Sequence, residues 1–435
     1  MNRRRGERFR EYLSGALWVW PSVAVVLAIA LGSGLSRVTI SESSRFHWLV
    51  FQGTADDART LLIGIAGTTI TVIALMLGLT VVALQLSSTQ YSPRIVRNFL
   101  RDRPNQVVLS VFVATFAYSA AGLYTVGVYE GDRSAGFPRA AVSGAIALLF
   151  LTLGALVYEV HHISHAMQVD EIMRQIEQHT VAVIDARLPG GDDDGGASPS
   201  AGAVAVPAPK SGYLQTLYPE SAVRYAETHS VHVLYTRRVG QHIVAGAPLA
   251  WVWTGTDTSV DSERCTGPVA ECVRIGFERT MEQDAAFGLR QLVDIAAKAL
   301  SPAVNDPYTA VQAIDHLSTV LAALAPHPLG PAVIRPSAAA SVTIPARDFA
   351  SYLDLACGQI RRFGASEPTI AQALIEMLTT ATNALAADAD GRRASIGNEL
   401  DLVLADAQRC IAQRADLTPV QHDGSALRAL LANRR

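Results

Sequence analysis

Four runs of apolar residues dominate the first third of the chain, at 16–35, 61–86, 107–126 and 140–160. Each holds about 20 residues or more, the length a helix needs to cross the hydrocarbon core of a bilayer. Asp, Glu, Lys and Arg are absent from all four runs except for Glu159. The pattern predicts four transmembrane helices, and any activity is then something that happens at, in or across a membrane. The second run carries a further pattern. At helical spacing, Gly64, Thr68, Thr71, Leu75, Gly78, Val82, Gln85 and Thr89 share one face, and that face is small or polar at most positions. A small-polar stripe inside lipid faces either a neighbouring helix or water. Helix packing and pore lining are both open from this pattern, and the pore-lining candidates are Gly64, Thr68, Thr71, Gly78 and Gln85. With its polar extension to Tyr91, the second span reaches about 45 Å at 1.5 Å per residue, so it projects beyond the bilayer before Pro93 ends or kinks it. The third span repeats the small-residue theme with Ala114, Ala117, Ala120, Ala121 and Gly122. Neither span holds an ionisable residue of the kind that proton-coupled transporters use.

After residue 160 the period changes. An amphipathic helix continues to about residue 188, marked by Ile163, Met167, Ile172, Ile176 and Val183. Residues 189–210 are rich in Gly, Asp, Ala, Pro and Ser and read as a disordered linker. Short alternating stretches follow, at 211–215, Val231–Tyr235 and 239–249. The Gly240-x-x-Ile243-x-x-Gly246-x-x-Leu249 rhythm resembles half of a biotinyl- or lipoyl-like barrel-sandwich module. No lysine stands at the hairpin tip, so no attached cofactor is expected. From residue 263 the chain reads as mainly helical, with helices at 284–299, 346–363, 367–385, 394–415 and 425–432 and a short strand at 342–344. The fold expected is a membrane α-helical domain over 1–165, a helical extension over 166–188, the linker, a small β module over 211–262 and a helical domain over 263–435. The soluble part is α+β.

Charge orients the spans. Arg3, Arg4, Arg5, Arg8 and Arg10 precede the first span, and Arg94, Arg97, Arg101 and Arg103 sit in the connection after the second, against Asp102 alone. Arginine-rich connections stay cytoplasmic. Four spans then place both termini, and the whole soluble part, in the cytosol of a cell bounded by an inner, or plasma, membrane. The first run lacks a small-x-small cleavage site and is read as a retained span. A net charge of −3 over 435 residues gives no basic surface for nucleic acid. Cys265, Cys272, Cys357 and Cys410 form no Cys-x-x-Cys pair and suit a reducing compartment.

Chemistry-bearing clusters are few. Glu159, His161, His162 and His165 gather where the fourth span ends. His161 and His165 lie one turn apart and are weak metal candidates, with interfacial histidines as the plainer account. The densest polar cluster is Arg290, Asp294, Lys298, Asn305, Asp306 and Tyr308. Arg290, Asp294 and Lys298 have the spacing of an ion-pair ladder, and Asp306 before Pro307 has the chemistry of a helix start. A ligand or ion site at the Asn305-Asp306 loop is the functional alternative. No nucleophile-base spacing, phosphate loop or His-Glu-x-x-His is present, so catalysis is not expected.

Three stretches, 85–94, 287–296 and 300–310, together resemble the bacterial membrane proteins grouped as domain of unknown function 2254. The resemblance spans nearly the whole chain and implies an inner-membrane protein with a large cytosolic region. It brings no catalytic residues and no function. The function expected from the residues is a homo-oligomeric channel, with the second span lining the pore, the cytosolic domains forming a vestibule or gate, and membrane lipids as its surroundings. The alternative is a membrane-anchored sensor or scaffold whose cytosolic part binds a ligand or partner.

Overall fold

The computed structural model of the protein describes residues 18–37, 50–90, 103–127, 138–166, 168–187, 199–200, 202–255, 261–386 and 389–433. The chain divides into two compact units, Met1–Glu171 and Ile172–Arg435.

The first unit contains α1 (Val19–Leu35), α2 (Ala55–Gln90), α3 (Arg103–Gly127) and α4 (Arg139–Ala166). Three segments are long and apolar enough to cross a membrane: Ala55–Val82, Pro104–Tyr124 and Arg139–Ile163. Helix α1, expected as the first of four spans, is apolar but only 17 residues long. Among the described residues, three to four apolar helices therefore make up the unit. Helix α3 is its centre and packs on α1, α2 and α4. Its small residues make this close packing feasible. Tyr118 is buried and donates from its hydroxyl to the Ala141 carbonyl at 2.8 Å. Gly144 leaves the room for that ring, since a Cβ there would stand 2.4 Å from the Tyr118 hydroxyl. One turn away, the buried hydroxyls of Thr115 and Thr152 meet at 2.9 Å and join α3 to α4.

The second unit takes in most of α5 (Val169–Arg187), followed by β1 (Val204–Pro207), β2 (Gly212–Leu217), α6 (Pro219–His229), β3 (Val231–Tyr235), β4 (His242–Ile243), β5 (Pro248–Thr254), α7 (Ser262–Glu271) and β6 (Val273–Gly276). Then come α8 (Ala285–Ala299), α9 (Pro307–Leu324), β7 (Ala332–Ser337), β8 (Ala340–Ile344), α10 (Phe349–Phe363), α11 (Pro368–Ala384), α12 (Asp390–Cys410) and α13 (Arg414–Asn433). The strands form two open sheets, ordered β1-β5-β3-β8-β7 and β4-β2-β6. This corrects the barrel-sandwich expectation: there is no closed barrel, and β4 sits in a different sheet from β3 and β5. Strand β3 is occupied on one side by β5 and on the other by β8, which runs parallel to it with His232 opposite Ser341. A pairing across 109 residues is invisible to local pattern. Strand β1 is a second difference. Val204–Pro207 lies inside the expected linker, yet it pairs with β5 and buries Val206 completely. Residues 189–198 of that linker lie outside the described residues.

The sheet core is Val206, Leu214, Val233, Tyr235, Ile243, Leu249 and Val252, closed by Ala222 and Ala226 of α6 and by Val269 of α7. The helices beyond it pack α8 on α9 and α10, α9 on α11, α10 on α12, and α13 on α11 and α12. Leu289, Leu292, Ile314, Leu317 and Leu378 are fully buried there. Asp284, Asp306 and Asp348 each cap the helix that follows by accepting a backbone N–H three residues on. Arg361 of α10 bonds Glu399 at 3.2 Å and also Asp406, which ties α10 to α12. Helix α5 docks tightly. Gly288 of α8 faces Thr180, and a Cβ on Gly288 would fall 1.9 Å from the Thr180 Oγ1. His316 of α9 pairs with Glu177 at 2.5 Å. All four cysteines are thiols: Cys265, Cys272 and Cys357 are buried, and Cys410 is exposed at the end of α12.

Candidate functional site

Helix α2 presents three distinct faces. Leu62, Ile65, Thr69 and Met76 are buried and hold it in the bundle. Ile63, Ile70, Leu77 and Val81 are exposed and bulky. Between them run Gly64, Thr68, Thr71, Gly78 and Gln85, with the bulky Leu75 and Val82 on the same face, all exposed among the described residues. An added Cβ at Gly64, Gly67 or Gly78 would meet nothing within 4 Å. The threonine hydroxyls are turned back to the helix: Thr68 donates to the Gly64 carbonyl at 2.7 Å and Thr71 to that of Gly67 at 3.0 Å. Their oxygens keep lone pairs directed outward, because a hydroxyl carries two acceptor positions besides its donor. The face is therefore a mixture of glycine, threonine and two exposed aliphatic side chains that the other described residues leave uncovered. Arg94, Arg97 and Arg101 lie outside the described residues, as does the side chain of Arg103.

At the end of α4, Glu159 is 1% exposed, while His161 is exposed. The His162 ring stacks on Tyr158 with centroids 5.8 Å apart. The side chain of His165 lies outside the described residues. Among the described residues no three His, Cys, Asp or Glu side chains come together to hold a metal ion.

The polar cluster of the second unit resolves into local devices. Arg290 and Asp294 form an i,i+4 ion pair at 2.7 Å. Asn305 takes up a left-handed backbone at φ 51°, and its N–H donates to the Ser301 carbonyl. Asp306 accepts from the Thr309 N–H at 3.1 Å and the Thr309 hydroxyl at 2.6 Å. The Thr309 hydroxyl and N–H bonds hold the Asp306 carboxyl below the usual aspartate range. Tyr308, 81% exposed, belongs instead to the mouth of a 1070 Å³ cavity bounded by α9, α11 and α13. Asp315, Glu367, Glu376 and Asp423 make that cavity acidic. Burial, and Glu376 nearby, push the Asp315 carboxyl up.

A second cavity, of 510 Å³, was not visible in the sequence. It is built where the turn after β3, the start of α8, the segment after β8 and α10 converge, and it brings Arg238, Asp284, Arg347 and Tyr352 together. The turn is tight. Gly240 has φ 85°, and a Cβ there would overlap the Asp284 carboxylate at 2.0 Å. Asp284 is 5% exposed and takes two hydrogen bonds from Arg279, at 2.7 and 3.0 Å. Burial raises its pKa, opposed by Arg279. Burial pushes the Tyr352 hydroxyl up to about 12, and Asp284 adds to the effect. Asp284 as a helix start is the one local signal that could have pointed here. Nothing in the spacing of positions 238, 347 and 352 relates them.

No solved structure matches the chain. Uncharacterized proteins of Mycobacterium tuberculosis (strain H37Rv) and Mycobacterium bovis are each 41% identical to it over 441 residues, covering 99% of this chain and 82% of theirs. The family described as "Predicted membrane protein (DUF2254)" matches residues 14–380, and the chain, with its apolar helices and its mixed helical and sheet region, belongs to that family.

Proposed function

We propose that this membrane protein is a homo-oligomeric channel in the cell's inner membrane, with both termini and the second unit in the cytosol. The observation that carries the reading is the open stripe on α2. Apolar helices surrounded by lipid direct bulky side chains outward, as Ile63, Ile70, Leu77 and Val81 are placed to do. A groove of Gly64, Gly67 and Gly78 flanked by Thr68, Thr71 and Gln85 makes poor contact with lipid tails. It suits either a second copy of α2 or a water-filled path between copies. Its length agrees: α2 has 36 residues and is about 54 Å long, against about 30 Å of hydrocarbon. The basic connection at 87–106 then rings the inner mouth with Arg94, Arg97, Arg101 and Arg103, and such rings favour anions or lipid phosphates.

The test is ion flux into liposomes that hold the purified full chain, with Thr71→Trp beside it. Flux that the tryptophan abolishes supports a pore along α2. Flux that is indifferent to tryptophan at Thr71 and at Thr68 overturns it, as does the absence of flux in either direction across salt and pH gradients.

The sensor reading also has an observation in its favour. The second unit holds two sizeable cavities, of 1070 and 510 Å³, within or near the range that small-molecule sites occupy.

A further inference from the structure

We propose that the 510 Å³ cavity binds an organic phosphate, with Arg238 and Arg347 holding the phosphate and the apolar wall holding the rest of the molecule. The charges that face the cavity are Arg238, Arg347, Asp284 and, at its exposed rim, Glu220. Asp284 attracts Arg347, but the guanidinium that hydrogen-bonds it, twice, is that of Arg279 outside the lining. Asp348 approaches Arg238, but its carboxylate accepts the Ser351 N–H at 2.8 Å as the cap of α10. Neither carboxylate makes a direct ion pair with Arg238 or Arg347 among the described residues. Among the described residues neither guanidinium makes an ion pair or a hydrogen bond, and the Arg238 Nε is buried without a partner. The two also repel each other, and burial followed by that repulsion lowers the Arg347 pKa.

Two neighbouring guanidiniums, half-buried in a concavity and with no carboxylate in ion-pair contact among the described residues, are a costly arrangement unless something anionic completes it. Their planar forks suit the oxygens of a phosphate. The walls say what the rest of the ligand is. Leu217, Ile334 and Ile344 line one side, and Tyr352, 4% exposed, presents a ring on the other. The Gln283 amide is spent on the Leu217 backbone at 2.9 and 3.1 Å and holds the apolar wall in place. A bare inorganic anion would leave this surface uncovered. A phosphate monoester with a compact apolar or aromatic body fills it, and 510 Å³ is the size of site such molecules use. The site stands whether or not the first unit conducts ions.

The experiment is calorimetric titration of the detergent-purified full chain with two probes, inorganic phosphate and phenyl phosphate. Phenyl phosphate is expected to bind at least about tenfold more tightly than inorganic phosphate. Arg238→Gln and Arg347→Gln are each expected to weaken both probes by about tenfold or more. Ile334→Trp, which fills the apolar wall, should weaken phenyl phosphate and leave inorganic phosphate unchanged. A melting curve for each variant checks folding, and Arg347→Lys replaces Arg347→Gln if the latter does not fold: lysine keeps the charge without the fork, so an intermediate affinity is expected. Failure of phenyl phosphate to bind at about 1 mM overturns the proposal. So does equal binding by folded variants at both arginines, which would place the anion elsewhere.

Discussion

Gly288 of α8 and Gly64 of α2 are both helical glycines, and they stand in opposite surroundings. At Gly288 the space of a side chain is already taken by Thr180 of α5. At Gly64, and again at Gly67 and Gly78, that space is empty to 4 Å. The same contrast runs through the polar groups. In the second unit Arg361, Arg279 and Asp306 are each held by named partners within their own chain. On the α2 stripe Thr68 and Thr71 bond only to the turn beneath them. A small residue that is already packed is explained by its own fold. A row of small residues that is not packed is left unexplained by the described part of its own fold. The first unit uses glycine in both ways: Gly144 accommodates Tyr118 inside the bundle, while the α2 glycines look out of it.

Four substitutions sharpen that contrast, and the largest effect is expected where packing is complete. Leu317→Ala in α9 removes a fully buried side chain and should cost about 2–5 kcal/mol, read by chemical denaturation of the full chain in detergent. Gly288→Ala should follow at about 1–3 kcal/mol, because the Thr180 Oγ1 must yield to the new methyl group. Asp306→Ala should cost about 1 kcal/mol through the lost cap. Its pH dependence has a definite sign. The Asp306 pKa is lowered in the fold, so the stabilisation is present above the unfolded aspartate value and is lost as pH falls through the folded one. Wild type and variant should therefore differ at neutral pH and converge in acid below about pH 4. Thr71→Val on the open stripe should change stability least, within about 0.5 kcal/mol, while altering flux. A large loss of stability there would show that the stripe is packed rather than lining water.

Local chemistry was legible and distant pairing was not. The apolar runs announced α2, α3 and α4, with ends that differ by up to six residues, because long apolar helices are a property of continuous composition. Asp306-Pro307 announced α9, because a cap and an N1 proline act within one turn. The Arg290–Asp294 pair followed from helical spacing alone. The sheets were misread because β3 takes a parallel partner from beyond three helices, while β4, within the apparent barrel rhythm of Gly240, Ile243 and Gly246, pairs with β2 in the other sheet. Strand β1 was missed because its four residues sit in a Gly-, Ala-, Pro- and Ser-rich stretch and become a strand only against β5. Helix α13 was expected to start near residue 425 but begins at Arg414, with Pro419 inside it. The Arg238–Arg347 cavity draws on segments spread from Ala186 to Tyr352, and no local pattern records such a meeting.

The distribution of the cysteines makes the protein addressable. Burial pushes the Cys265 and Cys357 thiols up, and Cys272 is buried with its S–H donated to the Pro268 carbonyl, whereas Cys410 is exposed. Only a thiolate reacts quickly with a maleimide. A membrane-impermeant maleimide dye thus has one natural handle, at the end of α12, without any engineered cysteine. Intact cells that stay dark and burst cells that light up at that handle would fix which side of the membrane the second unit occupies. The same dye, once attached, becomes a fluorescent gauge of its movement while ions or phosphates are added.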